Sequence, residues 1–321
     1  MPPLVSIDDI KVWFPIRKGV FNRVVGNVRA VDGVSLDIMP GETMGLVGES
    51  GCGKTTIGRA IIGLQPVTSG KILFEGEDIS QFGHNERQRF CRSCQMVFQD
   101  PYSSLNPRMT VLDIITEAMV YHGLISSRER ETKALELLAE VGMGRDALNR
   151  YPHEFSGGQR QRISIARALS LNPRFIVCDE PVSALDVSVQ AQVINLLMDL
   201  REKHSLSYLF ISHDLSVVRL ISQRVAVMYL GHIVEIGKAE EVLEKPLHPY
   251  TQALLSAVPR PGKNVEERII LKGELPSPAN PPTGCPFHPR CPYATDECRT
   301  ALPAFVGTEH KCACYHFSKL A

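Results

Sequence analysis

The stretch Gly48-Glu49-Ser50-Gly51-Cys52-Gly53-Lys54-Thr55-Thr56 carries the residue types needed to hold phosphate. It fits G-x-x-x-x-G-K-[ST], in which glycines let successive backbone N–H groups turn inward with no Cβ in the way. Lys54 is placed to reach the β- and γ-phosphates of ATP, and the Thr55 hydroxyl to ligate Mg²⁺. The whole stretch, Gly48 through Thr56, is read as ATP-binding. A second chemical signal is Asp179-Glu180, two acids that end the apolar run Phe175-Ile176-Val177-Cys178. Mg²⁺ prefers oxygen ligands, which makes Asp179 a metal candidate. Glu180 is then placed to polarise the water that attacks a γ-phosphate.

Four further pieces extend this chemistry. Gln99 follows an apolar strand and can contact the metal or the attacking water. Ser156-Gly157-Gly158-Gln159 opens a helix, whose N–H groups and dipole make a second anion site. One nucleotide has no need of two cradles in one chain, so the second is read as serving a partner's nucleotide. Asp186, in Ser183-Ala184-Leu185-Asp186, would carry contacts across that interface. His213, after the apolar strand Tyr208–Ser212, can bond the γ-phosphate. Phe14 is the aromatic read as stacking on the nucleobase; core packing is the other reading of Trp13 and Phe14.

The elements that must position these residues follow from pattern. Thr43–Val47 reads as a buried strand before the glycine loop. Thr56–Leu64 reads as the helix after it, with Ile57, Ala60, Ile61 and Leu64 on one face. Val5–Val12 and the alternating Ala30–Ile38 read as strands, and Lys71–Phe74 with Glu77–Ser80 as a short antiparallel addition. Ser93–Phe98, Phe175–Asp179 and Tyr208–Ser212 are continuous apolar strands of the buried parallel kind. Between the first two, Leu112 to about Arg150 has helical spacing, a helical insertion in the nucleotide core. Further helices are expected at Arg160–Ser170 and Val189–Lys203, and further strands at Val225–Tyr229 and Ile233–Ile236. Prolines 246, 249, 259 and 261 mark the exit from the main domain, with a tail boundary near residue 260.

Of 321 residues, 44% are hydrophobic, and 35 basic residues balance 35 acidic ones, which argues against a long nucleic-acid footprint. No signal-peptide pattern opens the chain, and no apolar run of about 18 residues occurs. A cytosolic protein able to dock on a membrane partner is expected. Cys285, Cys291, Cys298, Cys312 and Cys314 crowd the end of the chain, and four of them run C-x5-C-x6-C-x15-C. In a reducing compartment such thiols suit zinc or an iron–sulfur cluster. Cys91 and Cys94 also form a C-x2-C, read as chance because no second pair lies nearby.

Together these motifs resemble the ATP-binding cassette of ABC transporters. They correspond to Walker A at 48–55, Q-loop Gln99, signature FSGGQ at 155–159, Walker B at 175–179 followed by Glu180, D-loop 183–186 and switch His213. A narrower resemblance rests on Phe98-Gln99-Asp100-Pro101-Tyr102-Ser103-Ser104-Leu105-Asn106-Pro107, His248-Pro249-Tyr250-Thr251 and Gly284-Cys285-Pro286-Phe287-His288-Pro289-Arg290-Cys291-Pro292. These are similar to the oligopeptide/dipeptide importer ATPases, the F-type subunit above all. The signature begins with Phe155 rather than Leu, a variant that branch shares.

The resemblance implies an α/β fold: a P-loop NTPase cassette with a RecA-like core, an antiparallel β-subdomain and a helical subdomain at about 100–155. The cassette would span 1–260, with a Cys-rich extension at 261–321. It implies an ATPase driving import of di- or oligopeptides, with nickel, glutathione and opine carriers sharing the motifs. Two cassettes, this chain and a paralogue, would close over two ATP molecules on the cytoplasmic face of the inner membrane. They would drive two transmembrane permease subunits and, indirectly, an extracytoplasmic solute-binding protein. No nucleic acid is implied. A [4Fe–4S] cluster on Cys285, Cys291, Cys298 and Cys314 is expected, with zinc as the alternative, on the ground that a short polar tail needs a staple. Competing readings are a soluble non-transport ABC ATPase, disfavoured by the single cassette without heptads, and a redox or regulatory module.

Overall fold

The structure, a computed structural model, describes residues 1–258, 269–271 and 273–317. In chain order its strands are β1 (Val5–Lys18), β2 (Arg23–Ile38), β3 (Thr43–Val47), β4 (Ser69–Phe74), β5 (Glu77–Asp78), β6 (Cys94–Val97), β7 (Phe175–Asp179), β8 (Ser207–Ser212), β9 (Arg224–Tyr229), β10 (His232–Lys238) and β11 (Lys311–Cys312). The chain forms two compact units. The first is Met1–Gln81 with the described residues from Ile211 onward, and the second is Phe82–Phe210.

In the first unit β1, β2, β4 and β5 make an antiparallel sheet in the order β2-β1-β4-β5. A second, mixed sheet runs β11-β10-β9-β3, with β3 parallel to β9 and the outer pairs antiparallel. Every residue of β3 is buried, as a continuous apolar run in a parallel strand must be. In the second unit the strands lie in the order β8-β7-β6, with β6 parallel to β7. The chain returns to the first unit within β8.

The expected helical insertion is present as two helices. Val111–Tyr121 and Arg130–Glu140 are separate helices. The first is capped by Thr110, whose Oγ1 accepts the Asp113 N–H at 3.3 Å. Each ends near a glycine in the left-handed region, Gly123 at φ +66° and Gly142 at φ +69°, the backbone that stops a helix without a Cβ penalty. Ion pairing of Arg130 with Asp113 at 2.5 Å then ties the two together. The helix His84–Ser93 gave no sequence signal, since it buries only Phe90 and has no apolar stripe.

The expected boundary near residue 260, with Pro259 and Pro261, lies outside the described residues. The described tail lies on the first unit. Strand β11 pairs with β10 through Glu235–Cys312 and Ile236–Lys311, and Ala313 N–H donates to Val234 O at 2.8 Å. Phe287, 1% exposed, packs against Tyr229 and Tyr250 with ring centroids 5.2 and 5.5 Å away.

His248 starts the helix Pro249–Ser256 that carries Tyr250, and its Nδ1 accepts the Tyr250 N–H at 3.1 Å. That cap requires an unprotonated Nδ1, and burial pushes the imidazole from 6.5 down to about 3. A folded value below the unfolded one means the stabilisation is complete above about pH 6.5 and is lost as pH falls toward the folded value. The wild-type melting temperature should therefore fall faster below about pH 6.5 than that of His248→Asn, which keeps a capping acceptor that does not titrate. Parallel slopes for the two proteins would remove His248 from the acid response.

Candidate nucleotide site

Between β3 and the helix Lys54–Ile61 the chain turns tightly against its own backbone. A Cβ on Gly48, at φ +153°, would lie 2.2 Å from Met228 O, and one on Gly53, at φ +111°, 2.1 Å from Ala30 O. Only glycine fits either position, which is why the motif spaces them as it does. Lys54 is 5% exposed, and its Nζ donates to Gly48 O at 2.8 Å and Glu49 O at 3.0 Å. A buried ammonium needs such partners, and here the loop's own carbonyls supply them. Ser50 and Gly51 are exposed and Thr55 and Thr56 half-buried on the first helical turn. Cys52 is buried, and burial raises its thiol, so it packs as a small neutral residue beneath the loop. A loop closed around a buried cation at a helix start fits a polyphosphate.

In the second unit β7 ends in Asp179, 2% exposed, and the chain then bends sharply. Glu180 sits at φ +45°, a conformation non-glycine residues rarely hold and one that collects at functional positions. Its carboxylate accepts Gln99 Nε2 at 3.0 Å, joining two candidates 81 residues apart. Its carbonyl accepts the Ser183 hydroxyl at 3.0 Å, which anchors the turn leading to Asp186. Mg²⁺ usually keeps several waters and uses one or two carboxylates beside phosphate oxygens. Asp179 and Gln99, both in the second unit, offer oxygens of that sparse kind, and Thr55 offers a hydroxyl in the first.

Ser156 begins the helix Gly157–Leu169 with a capping box: its Oγ accepts the Gln159 N–H at 3.4 Å and Gln159 Oε1 accepts the Ser156 N–H at 3.0 Å. Ser156, Gly157 and Gln159 are exposed. A Cβ on Gly158 would meet Val189 at 2.4 Å, so glycine lets the helix Val187–His204 pack on this start. Asp186, exposed at the head of that helix, gives its carbonyl to the N–H groups of Val189 and Gln190 at 2.9 and 2.8 Å.

Phe14 lies on β1 opposite Val28 and is 38% exposed. The neighbouring Trp13 ring instead takes cations, Arg29 at 4.8 Å and Lys11 at 5.9 Å from its centroid. His213 is exposed just beyond β8. Sequence reasoning missed Tyr250 and Arg290, which both hold Glu49. Tyr250 Oη accepts the Glu49 N–H at 2.9 Å, and Arg290 Nη1 and Nη2 reach the Glu49 carboxylate at 2.8 and 3.2 Å. Separations of 201 and 241 residues put these contacts beyond any local signal.

The expectation of a [4Fe–4S] cluster on Cys285, Cys291, Cys298 and Cys314, or of zinc there, does not hold. Among the described residues no group of three or more His, Cys, Asp or Glu side chains stands where it could hold a metal ion. The thiols have local partners: Thr295 Oγ1 and His316 Nε2 lie 3.5 and 3.9 Å from Cys298 Sγ, and Cys314 Sγ accepts the His316 N–H at 3.4 Å. Burial pushes the Cys285 and Cys291 thiols up to about 11. The tail also needs no staple, because Phe287, Cys298 and Cys312 are buried and β11 pairs with β10.

Residues 31–183 match the family described as ABC transporter, and residues 234–298 the oligopeptide/dipeptide transporter C-terminal region. The chain is 57% identical to the oligopeptide transport ATP-binding protein AppF of Bacillus subtilis (strain 168), over 98% of both. It is 51% identical to the oligopeptide transport ATP-binding protein OppF of Escherichia coli (strain K12), over 97% of this chain and 95% of that one. Among solved structures, the ATP-binding cassette MJ0796 in a dimeric post-hydrolysis state bound to ADP and Pi is 27% identical, with a TM-score of 0.64, over 73% of this chain and 98% of that one. The fold and these motifs define an ABC ATP-binding cassette, as the sequence led one to expect. The chain belongs to the oligopeptide/dipeptide branch of the ABC-transporter ATP-binding proteins.

Proposed function

We propose that this chain is the ATP-hydrolysing subunit of a membrane ABC importer for di- and oligopeptides. One observation carries the reading: relatives named for oligopeptide transport match the chain from end to end, C-terminal region included. Lys54 and the loop N–H groups hold the phosphates, and Thr55, Gln99 and Asp179 are the Mg²⁺ candidates. Bound Mg²⁺ supplies charge neutralisation at the phosphate oxygens. Glu180 polarises the attacking water, with Gln99 orienting its carboxylate, and His213 bonds the γ-phosphate. Phe14 stacks on the base.

Ser156–Gln159 and Asp186 serve the nucleotide of a second cassette, a paralogue, so that closure of the pair over ATP drives transport. No helix among the described residues is long and apolar enough to cross a membrane. Two permease subunits would provide the spans, with this chain peripheral on the cytoplasmic face and a solute-binding protein acting from outside. The exposed helix start supports the trans role, since Ser156, Gly157 and Gln159 are open to solvent.

The test is Ser156→Arg in the assembled transporter. The arginine removes the cap and fills the helix start. ATP hydrolysis should fall by at least ~100-fold, the scale of losing oriented anion donors. Nucleotide binding to this chain's own Walker A should persist, and peptide uptake into proteoliposomes should stop with hydrolysis. A purified monomer that turns over as fast as the complex would refute the shared-site reading. Uptake of nickel, glutathione or an opine in place of peptide would reassign the solute alone.

A further inference from the structure

Glu49 is an odd residue for an anion-binding loop. It places a carboxylate one residue after Gly48, where a polyphosphate would meet like charge. Every polar group it has is engaged from within the first unit. Its N–H donates to Tyr250 Oη at 2.9 Å, its carbonyl accepts Lys54 Nζ at 3.0 Å and Cys52 N–H at 3.3 Å, and its carboxylate takes both terminal nitrogens of Arg290 at 2.8 and 3.2 Å. The Arg290 side chain is 9% exposed, and its guanidinium lies 5.9 Å from the Tyr229 ring centroid. Tyr229, Tyr250 and Phe287 pack ring to ring behind it, at 4.7 to 5.5 Å between centroids.

An exposed single ion pair contributes little, but a bidentate pair held against an aromatic wall constrains both partners. The Glu49 side chain is 28% exposed, so removing the arginine leaves its carboxylate unpaired and only partly solvated. Here the charge left behind would be an anion inside the phosphate loop. The same residue also gives its carbonyl to Lys54, so the position of Glu49 sets where the loop's one buried ammonium rests.

We propose that Arg290 is a positioning residue for nucleoside triphosphate: it neutralises Glu49 and fixes the phosphate loop, so that the C-terminal tail sets the chain's affinity for ATP. This rests on the reading of residues 48–56 as the ATP site. The tail thus acts on binding through its arginine and the aromatic cluster under it. No tail atom has to touch the nucleotide.

The experiment is a binding titration of the full chain with a fluorescent ATP analogue, alongside thermal melts. Arg290→Met should raise Kd by ~10-fold, the equivalent of one lost charge-assisted contact. Arg290→Lys keeps the charge without the fork and should stay within ~3-fold of wild type. Glu49→Gln should bind ATP tighter than wild type, because the repelling charge is gone while Arg290 remains. The double variant should recover most of what Arg290→Met loses, since the two act through one charge pair. A tail that merely braced the fold would lower the melting temperature in Arg290→Met with Kd unmoved, and the double variant would recover nothing. Either result overturns the proposal. Should Arg290→Met not fold, a Glu49→Gln protein that binds no tighter than wild type overturns it equally. Lys54→Ala run in parallel separates the two readings: insensitivity there would refute the ATP site itself, while insensitivity confined to Arg290 and Glu49 refutes only this inference.

Discussion

Glu180→Gln should leave ATP bound and stop its hydrolysis. The amide keeps the size of the side chain and an oxygen that can still accept Gln99 Nε2, now 3.0 Å from the carboxylate. It removes the negative charge that polarises water, a loss worth ~10²–10⁴ in rate for a general base. The backbone at 180, at φ +45°, imposes the same cost on either residue, so the folded chain should be equally stable. Single-turnover hydrolysis with prebound nucleotide, in the assembled complex, measures the chemical step free of binding. A wild-type rate there would take the role of base away from Glu180.

Glu235→Ala should cost the first unit more stability than any surface change. Glu235 is fully buried in β10, and its carboxylate accepts Leu247 N–H at 2.8 Å, His248 N–H at 2.9 Å and pairs with His310 Nε2 at 2.7 Å. Those partners belong to the start of the Tyr250 helix and to the tail. Alanine orphans all of them together, and breaking a buried charged network of this kind costs ~3–5 kcal/mol. Glu235→Gln keeps an acceptor for part of the network and should cost ~1.5–3 kcal/mol, the range of a charged hydrogen bond. Denaturant titrations of the three proteins should give that graded order. An alanine variant within experimental error of wild type would show that the network does not hold the tail.

The cassette motifs were legible because each is local chemistry. Glycines at 48 and 53, Lys54 beside them and Asp179 at the end of an apolar run announce themselves over a few residues. So do the strands β3 and β7, whose burial on both faces demands continuous apolar runs. Helix ends were harder: the reading of Leu112 to about Arg150 as helical set no inner boundaries, and Gly123 and Gly142 stop the two helices there through left-handed backbone, which leaves no mark on periodicity. The tail misled for a related reason. Five crowded cysteines and many prolines suggested a metal staple, because composition cannot show that Phe287 and Cys312 find their core elsewhere in the chain. By itself the sequence determined the fold class, the phosphate loop, the acids and the signature helix, all set by interactions within a few residues. Only the tertiary structure decided that Gln99 meets Glu180, that Glu235 anchors the tail and that Arg290 closes on Glu49. Those contacts join residues 75 to 241 positions apart, and side-chain charge and hydrogen bonding select such partners only after the backbone has folded.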